Sequence, residues 1–203
     1  NSKGDETANL IKAKYSESSQ IIYRRSLDAP SLDENVNMAI SMASGEYVWI
    51  FGDDDLIVEG FLAELITYMD TSSPDIAVLN SCSFQEQGEV EISRRSLDSL
   101  TIYGPNNNDL FMTDHGGYLT YVGCIVIRKR LWIKYFCSDK VGTYFAHLDA
   151  VCHAKIGHSA HYLPWPAIKM RLHMQTWTAK HFEIWNIYFP EVIWDLSNYS
   201  SRA

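Results

Sequence analysis

The sequence lacks several features that would place it in other protein classes. No apolar stretch approaches the roughly 20 residues needed to span a bilayer, and the first residues contain no apolar core of a secretory signal peptide. There is no run of Lys or Arg, and 17 basic residues face 25 acidic ones, for a net charge of −8. Because nucleic-acid affinity depends on basic patches, this balance argues against a nucleic-acid partner. We therefore expect a cytoplasmic protein.

Cysteine is scarce and widely spaced. The four cysteines, Cys82, Cys124, Cys137 and Cys152, form no C-x-x-C pair, so the spacing does not suit structural zinc. A chain of 203 residues can bury a core without disulfides, and we predict buried free thiols. Internal repeats, low-complexity tracts and linkers are also lacking, which predicts one domain over residues 1–203.

Helical and strand patterns alternate along the chain. The predicted helices cover residues 6–15, 32–43, 59–69, 129–136 and 182–196. The predicted strands cover residues 20–24, 46–51, 76–80 and 118–127. The polar stretch 83–109 favours turns and short antiparallel strands. This alternation predicts an α/β sheet with crossover helices.

Three consecutive aspartates, Asp53, Asp54 and Asp55, follow the predicted strand 46–51 and Gly52. Neighbouring carboxylates repel each other at a strand end, and a divalent cation removes that conflict. Ligands of open α/β sheets bind outside the carboxyl ends of strands, so the position suits a diphosphate carried on a metal. The alternative is a solvated acidic turn in which Asp55 caps the following helix.

The stretch 37–55 combines an asparagine-containing helix, A-S-G-E-Y, a hydrophobic strand and D-D-D. Together with N-S-K-G-D-E-T at residues 1–7, it resembles the family 2 glycosyltransferases, which have the GT-A fold. The resemblance is closest to the bacterial O-antigen and capsule type, and it implies a mixed, mostly parallel sheet flanked by helices. Residues 1–80 would form the donor and metal half. Residues 81–203 would form the acceptor half and the C-terminal helices.

Members of the family begin with a strand and a P-x-Y-N turn, and these come before the part of the family pattern that this sequence matches. The resemblance therefore implies a GT-A fold that is incomplete at its N-terminus, with a donor-base pocket that lacks its first wall.

The resemblance also implies an activity and a cofactor. The expected reaction is inverting transfer of a sugar from a nucleotide-sugar donor to a saccharide or lipid-linked acceptor, in surface polysaccharide synthesis. It would need Mg²⁺ or Mn²⁺. The implied metal ligands are Asp54, Asp55 and His173, and the implied donor contacts are Asn37, Asp53 and Arg171. A motif register shifted by one residue would pair Asp53 with Asp55 instead, and both registers remain open.

The second half of the chain supplies the other implied roles. Asp149 is the candidate base that takes the acceptor's proton, with His147 as its rival, since carboxylate and imidazole both do this work. Asp114 and His115 lie on the implied acceptor side.

Two other functions remain open at this point: a non-catalytic domain that binds sugar nucleotides or glycans, and a sugar nucleotidyltransferase. The aromatic tail over residues 182–196 could pack on the domain or contact a membrane surface. The sequence leaves the donor, the acceptor and the oligomeric state open.

Overall fold

A computed structural model describes residues 4–26, 30–85, 88–93, 98–171 and 178–200. The first half contains helices α1 (Glu6–Tyr15), α2 (Leu32–Met42) and α3 (Phe61–Ser72), with strands β1 (Tyr47–Trp49), β2 (Leu56–Ile57) and β3 (Ile76–Gln85). Strands β4 (Gly88–Ser93), β5 (Thr101–Tyr103), β6 (Ile125–Arg128) and β7 (Ala160–Arg171) follow. The remaining helices are α4 (Asn108–His115), α5 (Lys129–Tyr135), α6 (Ala146–Lys155), α7 (His181–Glu183) and α8 (Phe189–Trp194), and a π-helical turn, Ile184–Tyr188, joins the last two.

Local sequence signals set several of these boundaries. Helix α2 begins with a capping box, in which the Ser31 hydroxyl accepts from Glu34 N and Ser31 N donates to the Glu34 carboxylate at 2.7 Å. Helix α3 begins at Phe61, two residues later than predicted, because Gly60 precedes it with a φ of +81°.

The strands form one mixed sheet in the order β1-β6-β3-β7-β2, with β4 on β3 and β5 on β7. The mixed sheet flanked by helices is confirmed, but its neighbouring strands are less parallel than expected. Only β3 and β7 pair in parallel among the described strands, since β6 runs opposite to both β1 and β3 between them. Strands β1, β3 and β7 nevertheless run in the same direction, so their carboxyl ends lie at the same end of the sheet.

Helices cover both faces of the sheet. Successive side chains of β3 belong alternately to two hydrophobic cores. Ile76 and Val78 belong to one core, and Ala77 and Leu79 belong to the other. The larger core contains residues of α2, α5, α6 and α8, and the smaller one contains Phe61, Leu65 and Met69 of α3. Nine of the ten residues of α6 are buried, so this helix lies in the middle of its layer.

The outer edge of β1 pairs with no other strand in the described ranges. A groove of about 480 Å³ runs along it, between α2 and residues 47–51. An exposed strand edge offers unpaired backbone groups to a further strand.

One predicted strand is wrong, and a second, over residues 118–127, is right only in its last part. Residues 20–24 form no strand, and residues 118–124 form two 3₁₀ turns, Tyr118–Thr120 and Val122–Cys124, before β6 begins. In the second case the tyrosine hydroxyls of the segment bond elsewhere, that of Tyr118 to Leu79 O on β3 and that of Tyr121 to Asp55.

The predicted tail helix is confirmed as the helical stretch from His181 to Trp194. It presents two different faces. Trp185, Tyr188, Phe189 and Ile193 pack against the larger core, whereas Phe182, Ile187 and Trp194 are exposed. Among the described residues, no helix combines the length and apolarity that crossing a membrane requires.

Candidate active site

The three aspartates lie on the turn that leaves β1, and they differ in exposure. Asp53 and Asp54 are exposed, whereas Asp55 is half-buried. A Cβ atom built on Gly52 would lie 2.8 Å from Asp54 Oδ1. The Asp54 carboxylate therefore folds back over the α-carbon of Gly52, a position that a larger residue would obstruct. The turn presents two adjacent carboxylates to solvent.

Asp55 is bound from two sides. Its Oδ2 accepts a hydrogen bond from the Tyr121 hydroxyl at 2.6 Å, and its Oδ1 accepts one from the backbone N–H of Arg171 at 3.1 Å. Burial raises the pKa of Asp55, and these two hydrogen bonds oppose the rise. Burial, and then the Asp55 carboxylate, raise the pKa of Tyr121. Asp55 thus connects the turn to β7 and to the segment before β6.

That segment, residues 118–124, lies against the end of β1. The indole of Trp49 donates to Gly123 O at 2.8 Å, and the Tyr118 hydroxyl donates to Leu79 O at 3.0 Å. A Cβ atom on Gly123 would come within 2.6 Å of the Tyr121 ring, so the lack of a side chain at Gly123 leaves the space that the ring occupies. Tyr121 and Gly123 had no sequence signal beyond their residue types, because their roles depend on contacts across the sheet.

The two candidate bases lie on α6 and are buried. Asp149 is 2% exposed, and its Oδ1 lies 3.4 Å from His153 Nδ1. His147 donates from Nε2 to Leu119 O at 3.1 Å, and burial lowers its pKa. Neither side chain is open to a dissolved hydroxyl in this structure. Their catalytic roles remain predictions that require the first turn of α6 to open.

A buried carboxylate missed at the sequence level holds the start of α6. Asp33 of α2 is 4% exposed and accepts from three backbone N–H groups, those of Gly142, Tyr144 and Ala146, at 2.8–3.3 Å. Tyr144 has a φ of +70°, which is unfavourable for a residue with a side chain. The only available signal, acidic residues in the first turn of α2, indicated a helix start and not a long-range cap.

The two predicted acceptor residues have different environments. Asp114 is half-buried and accepts from the Tyr103 hydroxyl at 2.7 Å. His115 is fully buried among aromatic rings, with Nε2 at 3.0 Å from the Tyr103 hydroxyl oxygen. Only Asp114 has surface that an acceptor could contact in this structure.

The predicted donor and metal residues are partly brought together. Arg171, at the end of β7, joins the acidic turn through its backbone. Asn37 does not: its Oδ1 accepts from the Trp132 indole at 3.1 Å, which connects α2 with α5. His173 lies outside the described residues.

The exposed pair Asp53 and Asp54 suits a hard divalent cation. Within the described ranges, no three His, Cys, Asp or Glu side chains stand in metal-binding geometry. Mg²⁺, however, usually takes one or two protein carboxylates and completes its shell with water and substrate phosphates. The residues present therefore fit a metal that binds together with a phosphorylated ligand, with Asp55 engaged elsewhere.

Comparisons with known proteins agree with this architecture. The family model for glycosyl transferase family 2 matches residues 1–136. Abequosyltransferase RfbV of Salmonella typhimurium is 31% identical over 141 residues, which are 63% of this chain and 41% of that protein.

Among solved structures, S. aureus TarS 1-349 superposes with a TM-score of 0.63 at 14% identity, over 95% of this chain and 51% of that one. The same TarS fragment in complex with UDP-GlcNAc gives a TM-score of 0.58 at 14% identity, over 86% and 48%. These likenesses show the GT-A fold. The chain spans about half or less of each of these relatives.

Proposed function

Because this chain belongs to glycosyl transferase family 2, we propose that it takes part in metal-dependent, inverting transfer of a sugar. The donor is a nucleotide-sugar and the acceptor a saccharide or lipid-linked saccharide of a surface polysaccharide. The observation that carries the proposal is the exposed pair Asp53 and Asp54 at the end of β1. The name of the abequosyltransferase relative and the UDP-GlcNAc in the TarS complex support the substrate classes.

The chain's own groups have distinct parts in this proposal. Asp53 and Asp54 would hold Mg²⁺ or Mn²⁺, and the bound cation would offset the charge that develops on a leaving diphosphate. The Arg171 guanidinium, on the strand end next to this turn, adds a second positive charge for the diphosphate. Asp114 contacts the acceptor, and Asp149 or His147 takes the proton from its hydroxyl once α6 opens.

The test is release of nucleoside diphosphate from a panel of nucleotide-sugars, with and without Mn²⁺. We expect metal-dependent turnover that Asp54→Asn lowers at least about 100-fold, with an unchanged melting temperature. Asp70→Asn, an exposed carboxylate on α3, is the matched control and should retain turnover. Turnover that is independent of metal, or unaffected in Asp54→Asn, contradicts the proposal.

A second candidate function is a non-catalytic domain that binds nucleotide-sugars. The burial of Asp149 and His147 favours it, because neither side chain can reach an acceptor in this structure. Metal-dependent binding of nucleotide-sugar without any turnover would support this alternative. Loss of turnover in Asp149→Asn, with donor binding retained, would support catalysis with Asp149 as the base.

We also propose that the exposed face of the tail contacts a membrane surface on its cytoplasmic side. Phe182, Ile187 and Trp194 are 70%, 49% and 82% exposed on one helical stretch, and aromatic side chains partition into the interface of a bilayer. Sedimentation with vesicles of bacterial lipid composition should fall in the double variant Phe182→Ser and Trp194→Ser. Equal sedimentation of the variant and the wild type contradicts this contact.

A further inference from the structure

We propose that Tyr121 and Asp55 are a positioning pair for the acidic turn, and that Asp55 serves the site by fixing Asp53 and Asp54 and not by ligating the metal. This inference rests on the proposed metal site. Tyr121 lies 66 residues after Asp55 in the chain, and this inference assigns it to the donor side of the protein.

The geometry of Asp55 is the first argument. Both of its carboxylate oxygens already accept hydrogen bonds, from the Tyr121 hydroxyl at 2.6 Å and from Arg171 N at 3.1 Å. A metal would have to share or displace these donors. Asp53 and Asp54 are exposed and lie immediately before it, so a fixed Asp55 restrains the backbone from which their side chains project.

The place of the Tyr121 ring is the second argument. The ring lies over the α-carbon of Gly123, where a Cβ would meet it at 2.6 Å, and Gly123 O in turn accepts from the Trp49 indole of β1. The hydroxyl of Tyr121 is therefore held by a support that itself contacts the strand leading to the acidic turn. Rigid support of this kind sets the geometry of metal ligands, and its loss typically lowers metal affinity 10–100-fold.

The same segment also contacts helix α6. Leu119, two residues before Tyr121, accepts a hydrogen bond at its backbone oxygen from His147 of α6. Tyr121 thus connects the donor-side turn with the helix that bears the candidate bases, through residues 118–124.

Mn²⁺ affinity, measured by electron paramagnetic resonance in the presence of nucleoside diphosphate, gives a test that needs no turnover. We expect Tyr121→Phe to weaken Mn²⁺ binding about tenfold. If Asp55 were a ligand, Asp55→Asn would remove a charged ligand and weaken binding far more than Tyr121→Phe does, whereas a positioning pair predicts similar losses in the two variants. Unchanged or tighter binding in Tyr121→Phe, or a much larger loss in Asp55→Asn than in Tyr121→Phe, overturns the proposal.

Matched variants separate this effect from general damage. Tyr118→Phe removes another hydroxyl of the same segment, one that bonds to β3 and not to the turn, and should leave Mn²⁺ affinity unchanged. Gly123→Ala displaces the Tyr121 ring without removing a polar group and should reproduce the tenfold loss, whereas Gly117→Ala, with open space at its Cβ, should not. In Tyr121→Phe combined with Asp55→Asn, the losses should not multiply, because the two residues act as a unit.

Hydrogen exchange of the peptide that contains residues 50–58 keeps the inference separate from the proposed function. Tyr121→Phe should speed exchange there and Tyr118→Phe should not, whether or not the protein binds Mn²⁺ or turns over a donor. Equal exchange in the two variants overturns the positioning pair even if the enzyme is active. Faster exchange in a protein that binds no metal would sustain the pair and refute the proposed function instead.

Discussion

The acidic turn after β1 and the first turn of α6 both contain acids predicted for chemistry, yet they have opposite environments. On the acidic turn, Asp53 and Asp54 are exposed, and Asp54 rests over a glycine. On α6, both candidate bases are buried: His147 donates to Leu119 O, and the Oδ1 atom of Asp149 has no hydrogen-bond partner and lies 3.4 Å from His153 Nδ1. Similar residue types therefore have different capacities, since only the first pair can meet a ligand without a conformational change.

The difference arises from how many neighbours each element has. The acidic turn follows the carboxyl end of β1, which is an edge strand of the described sheet, so one side of the turn is exposed to solvent. Helix α6 packs against α5 and α8 in the larger core, so most of its side chains, polar ones included, are shielded from solvent. Asp33 is shielded as well, and its buried carboxylate satisfies three backbone N–H groups at the start of α6.

The largest expected effect contrasts the stability of the two regions. Asp33→Ala would leave three buried N–H groups without their acceptor and should lower the free energy of unfolding by about 2–4 kcal/mol. Asp53→Ala should change it by less than about 0.5 kcal/mol, because Asp53 is exposed. Urea unfolding measures both, and equal losses would remove the contrast between the two turns.

Next in size is the effect of Gly52→Ala on the acidic turn. The new Cβ would meet Asp54 Oδ1 at 2.8 Å and displace that carboxylate, so we expect Mn²⁺ affinity to fall roughly tenfold. The stability should be unchanged or slightly higher, as for other Gly to Ala substitutions without backbone strain. Gly104→Ala, whose Cβ meets nothing within 4 Å, is the control. Wild-type affinity in Gly52→Ala would show that Asp54 does not hold the metal from this position.

A smaller effect concerns the pH dependence of stability, to which two histidines of α6 should contribute in opposite directions. Burial lowers the pKa of His147, so the unfolded chain binds a proton more readily and stability is lost as pH falls below about 6.5. The Asp149 carboxylate, 3.4 Å from Nδ1, raises the pKa of His153, so its contribution is complete below about pH 6.5 and is lost as pH rises through the folded-state pKa.

The two histidines therefore act in opposite directions, and urea midpoints between pH 8 and pH 5 separate them. Relative to the wild type, His147→Asn should lose less stability on acidification and His153→Asn should lose more. The same slope in all three proteins would mean that neither imidazole titrates differently in the folded state.

The smallest expected effect tests Asp114 as an acceptor contact. Asp114→Asn keeps an oxygen that can accept from the Tyr103 hydroxyl, so stability should change by less than about 1 kcal/mol. If Asp114 binds the acceptor, the ratio of sugar transfer to donor hydrolysis should fall a few-fold while hydrolysis itself is retained. An unchanged ratio would assign Asp114 to the support of Tyr103 alone.

Several features of the fold were predictable because they depend on short-range patterns. The helical period located α1 and α2 to within a residue, and the aromatic, β-branched run before Gly52 located β1. The acidic turn followed from like charges placed directly after a buried strand. Residues 118–124 have the composition of a strand, since they too are rich in tyrosine and β-branched residues, but they form 3₁₀ turns whose tyrosine hydroxyls bond to Leu79 O and Asp55.

The sequence by itself determined α1, α2, β1, the acidic turn and the family, because periodicity, capping and a contiguous motif are properties of neighbouring residues. Only the tertiary structure decided which acids are exposed, that Tyr121 binds Asp55, and that Asp33 caps α6. Those contacts join residues 66 to 113 positions apart. Their partners are selected by packing across the sheet and between helices, which no local pattern records.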